Sequence, residues 1–153
     1  MMKNKNLFLV IIFFFLTHCG YTAVYKKDTN SEIKISLAKM EGNKEFNNKI
    51  NSQLRRYYNN ESKNIFVISI NSRFNKETIS KDTTGKVTNY ELVAISNFQI
   101  IYRNKNHNVT FKESLRIKNM DDAFEQRKYE NIIKNNFASS IHEKLLLKLK
   151  TLQ

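Results

Sequence analysis

Two different spacings of hydrophobic residues run along the chain, and together they predict one β-sheet packed against two helices. Alternation of apolar and polar positions is typical of strands, whereas apolar residues three and four apart are typical of amphipathic helices. The alternation predicts strands at 33–37, 64–74, 90–102 and 109–117. The helical spacing predicts a first helix over 46–57 and a second from Asp121 or Asp122, as N-cap, to the C-terminus.

The order β-α-β-β-β-α defines an α+β, two-layer fold. Gly42 and Asn43 end the first strand, and turns are predicted at 82–86 and 104–108. A helix between the first two strands makes them parallel, and two hairpins then add the third and fourth strands. We therefore expect a four-stranded mixed sheet, with both helices covering its apolar face.

The first eighteen residues have the pattern of an export signal. Lys3 and Lys5 precede an uninterrupted apolar run, LFLVIIFFFL, at 7–16. Ten residues rise about 15 Å as a helix, roughly half of the hydrocarbon thickness of a bilayer, so the run is too short to span it. A basic start followed by a short apolar segment indicates a secretory signal peptide at 1–18.

The residues that follow predict a lipid anchor. Leu16-Thr17-His18-Cys19 resembles a lipobox, in which the cysteine becomes the acylated N-terminus, although His18 stands where a small residue is usual. Cys19 is the only cysteine, which excludes an internal disulfide. Gly20 after it is similar to the sorting signal for the outer membrane. We expect residues 19–153 to form one domain, lipid-anchored on the periplasmic side of the outer membrane.

The charge of the chain points to anionic partners. The full sequence has a net charge of +12, and 24 basic against 14 acidic residues remain after the signal. Such an excess attracts polyanions of any kind. In the cell envelope these are phospholipid headgroups and the phosphates of lipopolysaccharide rather than nucleic acid. A lysine-rich, merely solvated surface is the alternative at each position.

Several segments, taken in order, resemble the LptE family of lipopolysaccharide-assembly lipoproteins. They are Cys19-Gly20-Tyr21 with Tyr25, the strand 33–37, Asn51-Ser52-Gln53-Leu54-Arg55-Arg56, the run 85–92 led into the third strand by Tyr90, and 124–134. The resemblance spans the whole chain, but the proline common after the family's Cys-Gly start is missing. It implies a non-enzymatic protein without a cofactor, which plugs and helps assemble the LptD β-barrel and aids lipopolysaccharide transport.

Motifs for catalysis are absent from the sequence. It contains no Gly-x-Ser-x-Gly, no Walker loop and no His-Glu-x-x-His. We interpret His107, in a turn, and His142, on the last helix, as surface residues rather than metal ligands. Glu125 and Glu130 are expected to form solvated ion pairs rather than an acid–base pair.

The predicted topology brings the turn between strands two and three close to the junction between strand four and the last helix. Both segments carry basic residues, and we predict that these residues meet lipid A phosphates. The candidate lipopolysaccharide-binding residues are Lys81, Lys86, Arg127 and Lys128. The candidate barrel contacts, chosen as aromatic hot spots, are Tyr57, Tyr58, Tyr90 and Tyr102. Half-buried core tyrosines are the alternative for the latter set.

Two other classes stay open at this point. One is a structural or adhesive envelope lipoprotein that shares only the α/β layout. The other is a basic nucleic-acid-binding domain, which would require that His18 blocks processing and that the apolar start is not an export signal.

Overall fold

A computed structural model describes residues 33–59 and 64–153. The elements are β1 (Ile35–Gly42), α1 (Lys44–Leu54), a 3₁₀ turn (Arg55–Tyr57), β2 (Phe66–Lys81), β3 (Val87–Tyr102), β4 (Lys105–Lys118) and α2 (Ala123–Lys150). The predicted order β-α-β-β-β-α and the α+β class are confirmed. Residues 31–153 form one compact unit, which contains the buried core of the described residues, and we expect this unit to fold on its own.

The four strands lie in chain order in a single mixed sheet. β1 pairs with β2 in parallel, starting at Ile35 beside Phe66, and the register shifts between Leu37 and Lys39. β2–β3 and β3–β4 are antiparallel. The α1 crossover is what allows β1 and β2 to run in the same direction, because a parallel pair cannot be joined by a tight turn.

All four strands extend beyond at least one of their predicted ends. β2 and β3 are each 16 residues long, and the second half of β2 is mostly polar. A polar segment gives no hydrophobic alternation, yet its backbone still pairs with β3. β4 begins at Lys105 because Arg103 and Asn104, with φ of 48° and 60°, form a two-residue turn. His107 therefore lies on β4, and its assignment to a turn was wrong.

Gly42 ends β1, as predicted, and no other residue type fits there. Its φ is +84°, and a Cβ added to it would lie 2.1 Å from the carbonyl oxygen of Ser72. Asn43 then caps α1: its side-chain oxygen accepts from the Phe46 amide at 2.9 Å, and its own amide donates to the Ser72 carbonyl at 2.7 Å. One glycine thus turns the chain from the edge of the sheet into the covering helix.

The core lies between the helices and one face of the sheet. Its fully buried large side chains are Phe46, Phe66, Phe98, Ile35, Ile50, Leu54, Ile68, Ile70, Leu92, Ile100, Ile141 and Leu145. Alternate positions of β2 and β3 supply the sheet side, as the period of two requires. Phe66 stacks on Tyr102 with ring centroids 4.1 Å apart. Among the described residues no helix is both long and apolar enough to cross a membrane.

The two helices run side by side in the same direction. Lys134 contacts Glu45, Ser139 contacts Gln53, and the ring of His142 lies 5.9 Å from that of Tyr57. Asp122 is the N-cap of α2, accepting from the amides of Phe124 and Glu125. The last turns of α2 therefore reach the end of the sheet at which β1 begins.

His142 is buried, with 2% of its surface exposed, so its assignment to the surface was wrong. The apolar residues 137, 141, 145 and 149 are four apart, and because a helical turn takes 3.6 residues, their stripe winds around α2. The 3₁₀ turn packs against His142 through the ring of Tyr57, 5.9 Å away. Burial lowers the pKa of the His142 imidazole below 6.5, and Arg56 lowers it further, whereas Glu143 acts in the opposite sense.

The unit has two ends, and each is formed by segments that are distant in the chain. The far end consists of the β2–β3 turn with the strand ends beside it (76–92) and the β4–α2 junction with the residues beside it (115–130). The near end consists of the start of β1, the 3₁₀ turn with Tyr58, the β3–β4 turn (103–104) and the last turns of α2.

Candidate functional site

The two segments of the far end are joined by direct hydrogen bonds, as the predicted topology requires. The Asn119 amide donates to the Thr88 carbonyl at 2.8 Å, and its side-chain Nδ2 donates to the Val87 carbonyl at 2.9 Å. Lys86 Nζ lies 2.8 Å from Asp121 Oδ1. The far end is thus a defined surface rather than two separate loops.

Asp82 organises the β2–β3 turn. Its Oδ1 accepts from the Thr84 hydroxyl at 2.6 Å, the Thr84 amide at 2.9 Å and the Lys86 amide at 3.0 Å. The Thr84 hydrogen bond is the largest influence on the pKa of Asp82, and it lowers it. This carboxylate holds Lys86 at the tip of the hairpin.

The four predicted lipopolysaccharide-binding cations divide into two pairs. Lys86 is bound to Asp121, an interaction that raises the pKa of Lys86 and lowers that of Asp121. Lys128 Nζ lies 3.6 Å from Glu125 Oε1. Within the described ranges, Lys81 and Arg127 are exposed and form no ion pair. Lys81 and Arg127 therefore remain the strongest candidates for binding phosphate.

The far-end cations are distributed over both faces of the sheet. Ile117 is buried under the helices, so Arg116 and Lys118 on either side of it point to the face that the helices do not cover. Arg127 stands on α2, on the covered face. Segments 76–92 and 115–130 contain seven basic and seven acidic residues, so the far end has no net charge.

The two glutamates at the start of α2 form ion pairs, as predicted. Glu125 pairs with Lys128, whereas Glu130 pairs with Lys76 of β2 at 2.6 Å. Lys76 Nζ also lies 3.9 Å from the centre of the Tyr90 ring. This arrangement ties α2 to the hairpin.

The four candidate tyrosines differ in accessibility. Tyr102 is 6% exposed and stacked in the core, while Tyr57 and Tyr90 are half-buried against it. Tyr58 is 37% exposed, and its hydroxyl donates to Asn51 Oδ1. Burial raises the pKa of the Tyr58 hydroxyl. Of the four, Tyr58 presents most of its surface to a partner.

Lipidation and metal binding concern different parts of the chain. The predicted lipidation site, Cys19, lies outside the described residues. Among residues 33–59 and 64–153, no cluster of three histidine, cysteine or acidic side chains could hold a metal ion.

The basic residues of the near end were not among the predicted site residues. Arg55 and Arg56 close the first helix, and Arg103 opens the β3–β4 turn, where the next residue but one is Lys105. The signal was present in the sequence as basic residues at three element ends. Recognising that these ends meet required the strand lengths and the direction of α2.

The fold is similar to that of solved bacterial lipoproteins. The crystal structure of rare lipoprotein B from Shewanella oneidensis matches with a TM-score of 0.55 and 20% identity, over 78% of this chain and 95% of that chain. A minor lipoprotein from Acinetobacter baumannii matches with a TM-score of 0.51 and 18% identity, over 73% of this chain and 91% of that chain. At these identities the similarity establishes the fold. No protein-family model matches the sequence, and no curated protein matches it.

Proposed function

We propose that this protein is an outer-membrane lipoprotein of LptE type, which plugs and helps assemble an LptD-type β-barrel and aids the insertion of lipopolysaccharide. The observation that carries the proposal is the agreement between an anchor motif ending at Cys19 and a fold shared with rare lipoprotein B over 95% of that chain. A lipoprotein signal alone occurs before many folds, and this fold alone does not specify an anchor.

The surface of the unit supports an assembly role rather than a catalytic one. A plug needs a rigid body with exposed aromatic anchors, since a few such residues supply most of the energy of an interface. Tyr58 on the 3₁₀ turn and Phe124 at the start of α2 are exposed by 37% and 64%. We propose that they contact the barrel wall.

The proposed contacts for the phosphates of lipopolysaccharide are Lys81 and Arg127. Both are free of ion pairs in the described part of the chain, so phosphate binding does not require that an existing pair be broken. Arg127 can bind a phosphate with two parallel hydrogen bonds, whereas Lys81 acts as a point charge.

Affinity purification of the full-length protein from detergent-solubilised outer membranes tests the assembly role. We expect a large β-barrel protein at about one-to-one stoichiometry, and loss of that barrel when the lipoprotein is depleted. A solitary lipoprotein would contradict the proposal and favour a structural or adhesive role. Nucleic acid in the eluate would contradict both.

Charge reversal of Lys81 and Arg127 tests the lipopolysaccharide contact. We expect the double variant, Lys81→Glu with Arg127→Glu, to bind lipopolysaccharide at least tenfold more weakly at low salt, with a smaller loss at high salt. Lys44→Glu with Lys112→Glu changes the net charge equally at exposed residues away from the far end, and should retain most of the affinity. Equal losses in the two variants would exclude a specific far-end contact.

A further inference from the structure

The near end carries cations that no carboxylate neutralises within the described ranges. Segments 55–59, 64–68, 99–107 and 143–153 contain seven basic residues and one acidic residue, Glu143. Of the seven, Lys144 pairs with Glu113 of β4 at 2.5 Å. The other six form no ion pair with a described residue; they are Arg55, Arg56, Arg103, Lys105, Lys148 and Lys150.

This uneven distribution of net charge between the two ends cannot come from a lysine-rich composition alone. A composition bias would give both ends a net positive charge, yet the far end contains equal numbers of basic and acidic residues. Most described ion pairs also lie in the middle or far part of the unit, such as Lys134–Glu45 at 2.8 Å and Lys76–Glu130 at 2.6 Å. The excess positive charge of the unit is therefore concentrated where β1 begins.

Two of the near-end arginines are ordered without being neutralised. The guanidinium of Arg56 lies 4.9 Å from the centre of the Tyr57 ring, and that of Arg103 lies 4.9 Å from the centre of the Tyr102 ring. Stacking on an aromatic ring orients a guanidinium but leaves its N–H donors available to an anion. Both arginines are exposed.

Apolar side chains are exposed at the same end. Leu147 on α2 is 64% exposed, and Ile101 at the end of β3 is 43% exposed. Leu147 lies between Lys144 and Lys148, so an apolar group and ammonium groups share the last turns of the helix. Cations combined with protruding apolar residues are the chemistry that binds the interface of an anionic bilayer.

We propose that the near end is a membrane-binding surface for anionic phospholipid, which holds the unit against the bilayer. This function is separate from barrel assembly and from the proposed contact of Lys81 and Arg127 with lipopolysaccharide. The chain also enters β1 at this end, fourteen residues after Cys19 when counted to Ile33. A single acyl chain binds a membrane weakly and a basic surface strengthens it, so anchor and near end would act together.

Vesicle co-sedimentation of the unit 31–153 tests the surface without the lipid anchor. The near-end variant combines Arg55→Gln, Lys105→Gln and Lys150→Gln. The matched control combines Lys44→Gln, Arg73→Gln and Lys112→Gln, which removes the same charge from exposed residues of the middle part. Circular dichroism of each variant verifies that it is folded.

With vesicles of 30 mol% phosphatidylglycerol in phosphatidylcholine, we expect the near-end variant to bind about a hundredfold more weakly than the parent, since each cation near an anionic surface contributes roughly fivefold. The control should lose less than about fivefold, because its cations stay more than a Debye length from the lipid. Equal losses in both variants, or equal binding of the parent to pure phosphatidylcholine, would overturn the proposal.

The apolar component has its own matched pair, because Leu147 and Phe124 are each 64% exposed and lie at opposite ends of α2. Leu147→Ser should weaken vesicle binding several-fold, whereas Phe124→Ser should leave it unchanged. If heparin bound the parent as tightly as the vesicles do, with the same loss in the near-end variant and no effect of Leu147→Ser, the surface would be a general polyanion site and the proposal would fail. Lipopolysaccharide binding by Lys81 and Arg127 is independent of every one of these outcomes.

Discussion

The near and far ends of the sheet contain similar numbers of basic residues but use them differently. At the far end, Lys86 and Lys128 are bound to carboxylates, and the paired charges connect the hairpin to α2. At the near end, Arg56 and Arg103 stack on tyrosine rings and meet no carboxylate among the described residues. The number of basic residues alone therefore does not locate a binding surface, whereas their local excess over acidic residues does.

The two ends also differ in how they are stabilised. The large buried side chains extend from Ile35 and Phe66 toward the middle of the sheet, and α1 covers only that part. Beyond it, the β2–β3 hairpin continues with polar residues held by ion pairs and by hydrogen bonds to the β4–α2 junction. Buried apolar side chains are therefore more numerous toward the near end, and polar contacts add to the far end, where Leu92 and Ile117 are also buried.

The largest difference in stability should separate a core position from a hairpin position. Phe66→Ala removes a ring stacked on Tyr102 at the near end and should lower the free energy of unfolding by about 3–5 kcal/mol. Ile79→Ala, at a residue 42% exposed in the far half of β2, should change it by less than about 0.5 kcal/mol. Urea unfolding of both variants measures this, and comparable losses would show that the hairpin has an equivalent core.

Two glycines with the same backbone conformation should respond unequally. Gly42 and Gly85 have φ of +84° and +85°, but a Cβ at Gly85 meets no atom within 4 Å. Both alanine variants incur the strain of the left-handed region, about 1–2 kcal/mol. Gly42→Ala also displaces the Ser72 carbonyl and should cost about 1–3 kcal/mol more in urea unfolding. Equal costs would mean that the turn from β1 into α1 can relax.

Acid should selectively weaken the packing of the near end through His142. The folded-state pKa of His142 is lowered, so below about pH 6.5 the unfolded chain binds a proton that the folded chain does not. The contribution of neutral His142 to stability is therefore retained above about pH 6.5 and is lost as the pH falls below it. The slope cannot exceed about 1.4 kcal/mol per pH unit from one such group. In His142→Phe this part of the pH dependence of the unfolding free energy should disappear, whereas His107→Gln should keep it.

The smallest effect is expected from an ion pair of the far end. Glu130→Gln removes a pair with Lys76 whose side chains are 17% and 33% exposed, and should cost about 0.5–1 kcal/mol. Glu125→Gln removes the more exposed pair with Lys128 and should change the free energy of unfolding by less than about 0.3 kcal/mol. A cost above about 2 kcal/mol for Glu130→Gln would show that electrostatics contribute more to the far end than its exposure allows.

The sequence was sufficient for the topology and for several element ends. Alternation in 90–102 and four-residue spacing in 137–149 reflect burial on one face, which acts on residues close in the chain. Gly42 and Asp122 mark element ends by conformational and capping preferences that are equally local. These features needed no knowledge of distant contacts.

The site could be predicted only in part, because its properties depend on distant residues. Lys86 and Lys81 look alike in sequence, and only the approach of Asp121 distinguishes the paired lysine from the free one. His142 has a helical position like that of many exposed residues, and it is the 3₁₀ turn, 85 positions earlier at Tyr57, that buries it. The basic surface of the near end could not be predicted for the same reason.

Lipid-depth quenching in the full-length, lipidated protein tests most directly the claim that the two ends have different roles. Cys19 is the only cysteine and is acylated in the proposed mature protein, so Asn106→Cys at the near end and Thr83→Cys at the far end each give one labelling site for a fluorophore. In proteoliposomes containing phosphatidylglycerol and a headgroup-region quencher, we expect strong quenching at position 106 and almost none at position 83. Equal quenching at both positions, or stronger quenching at position 83, would contradict the account.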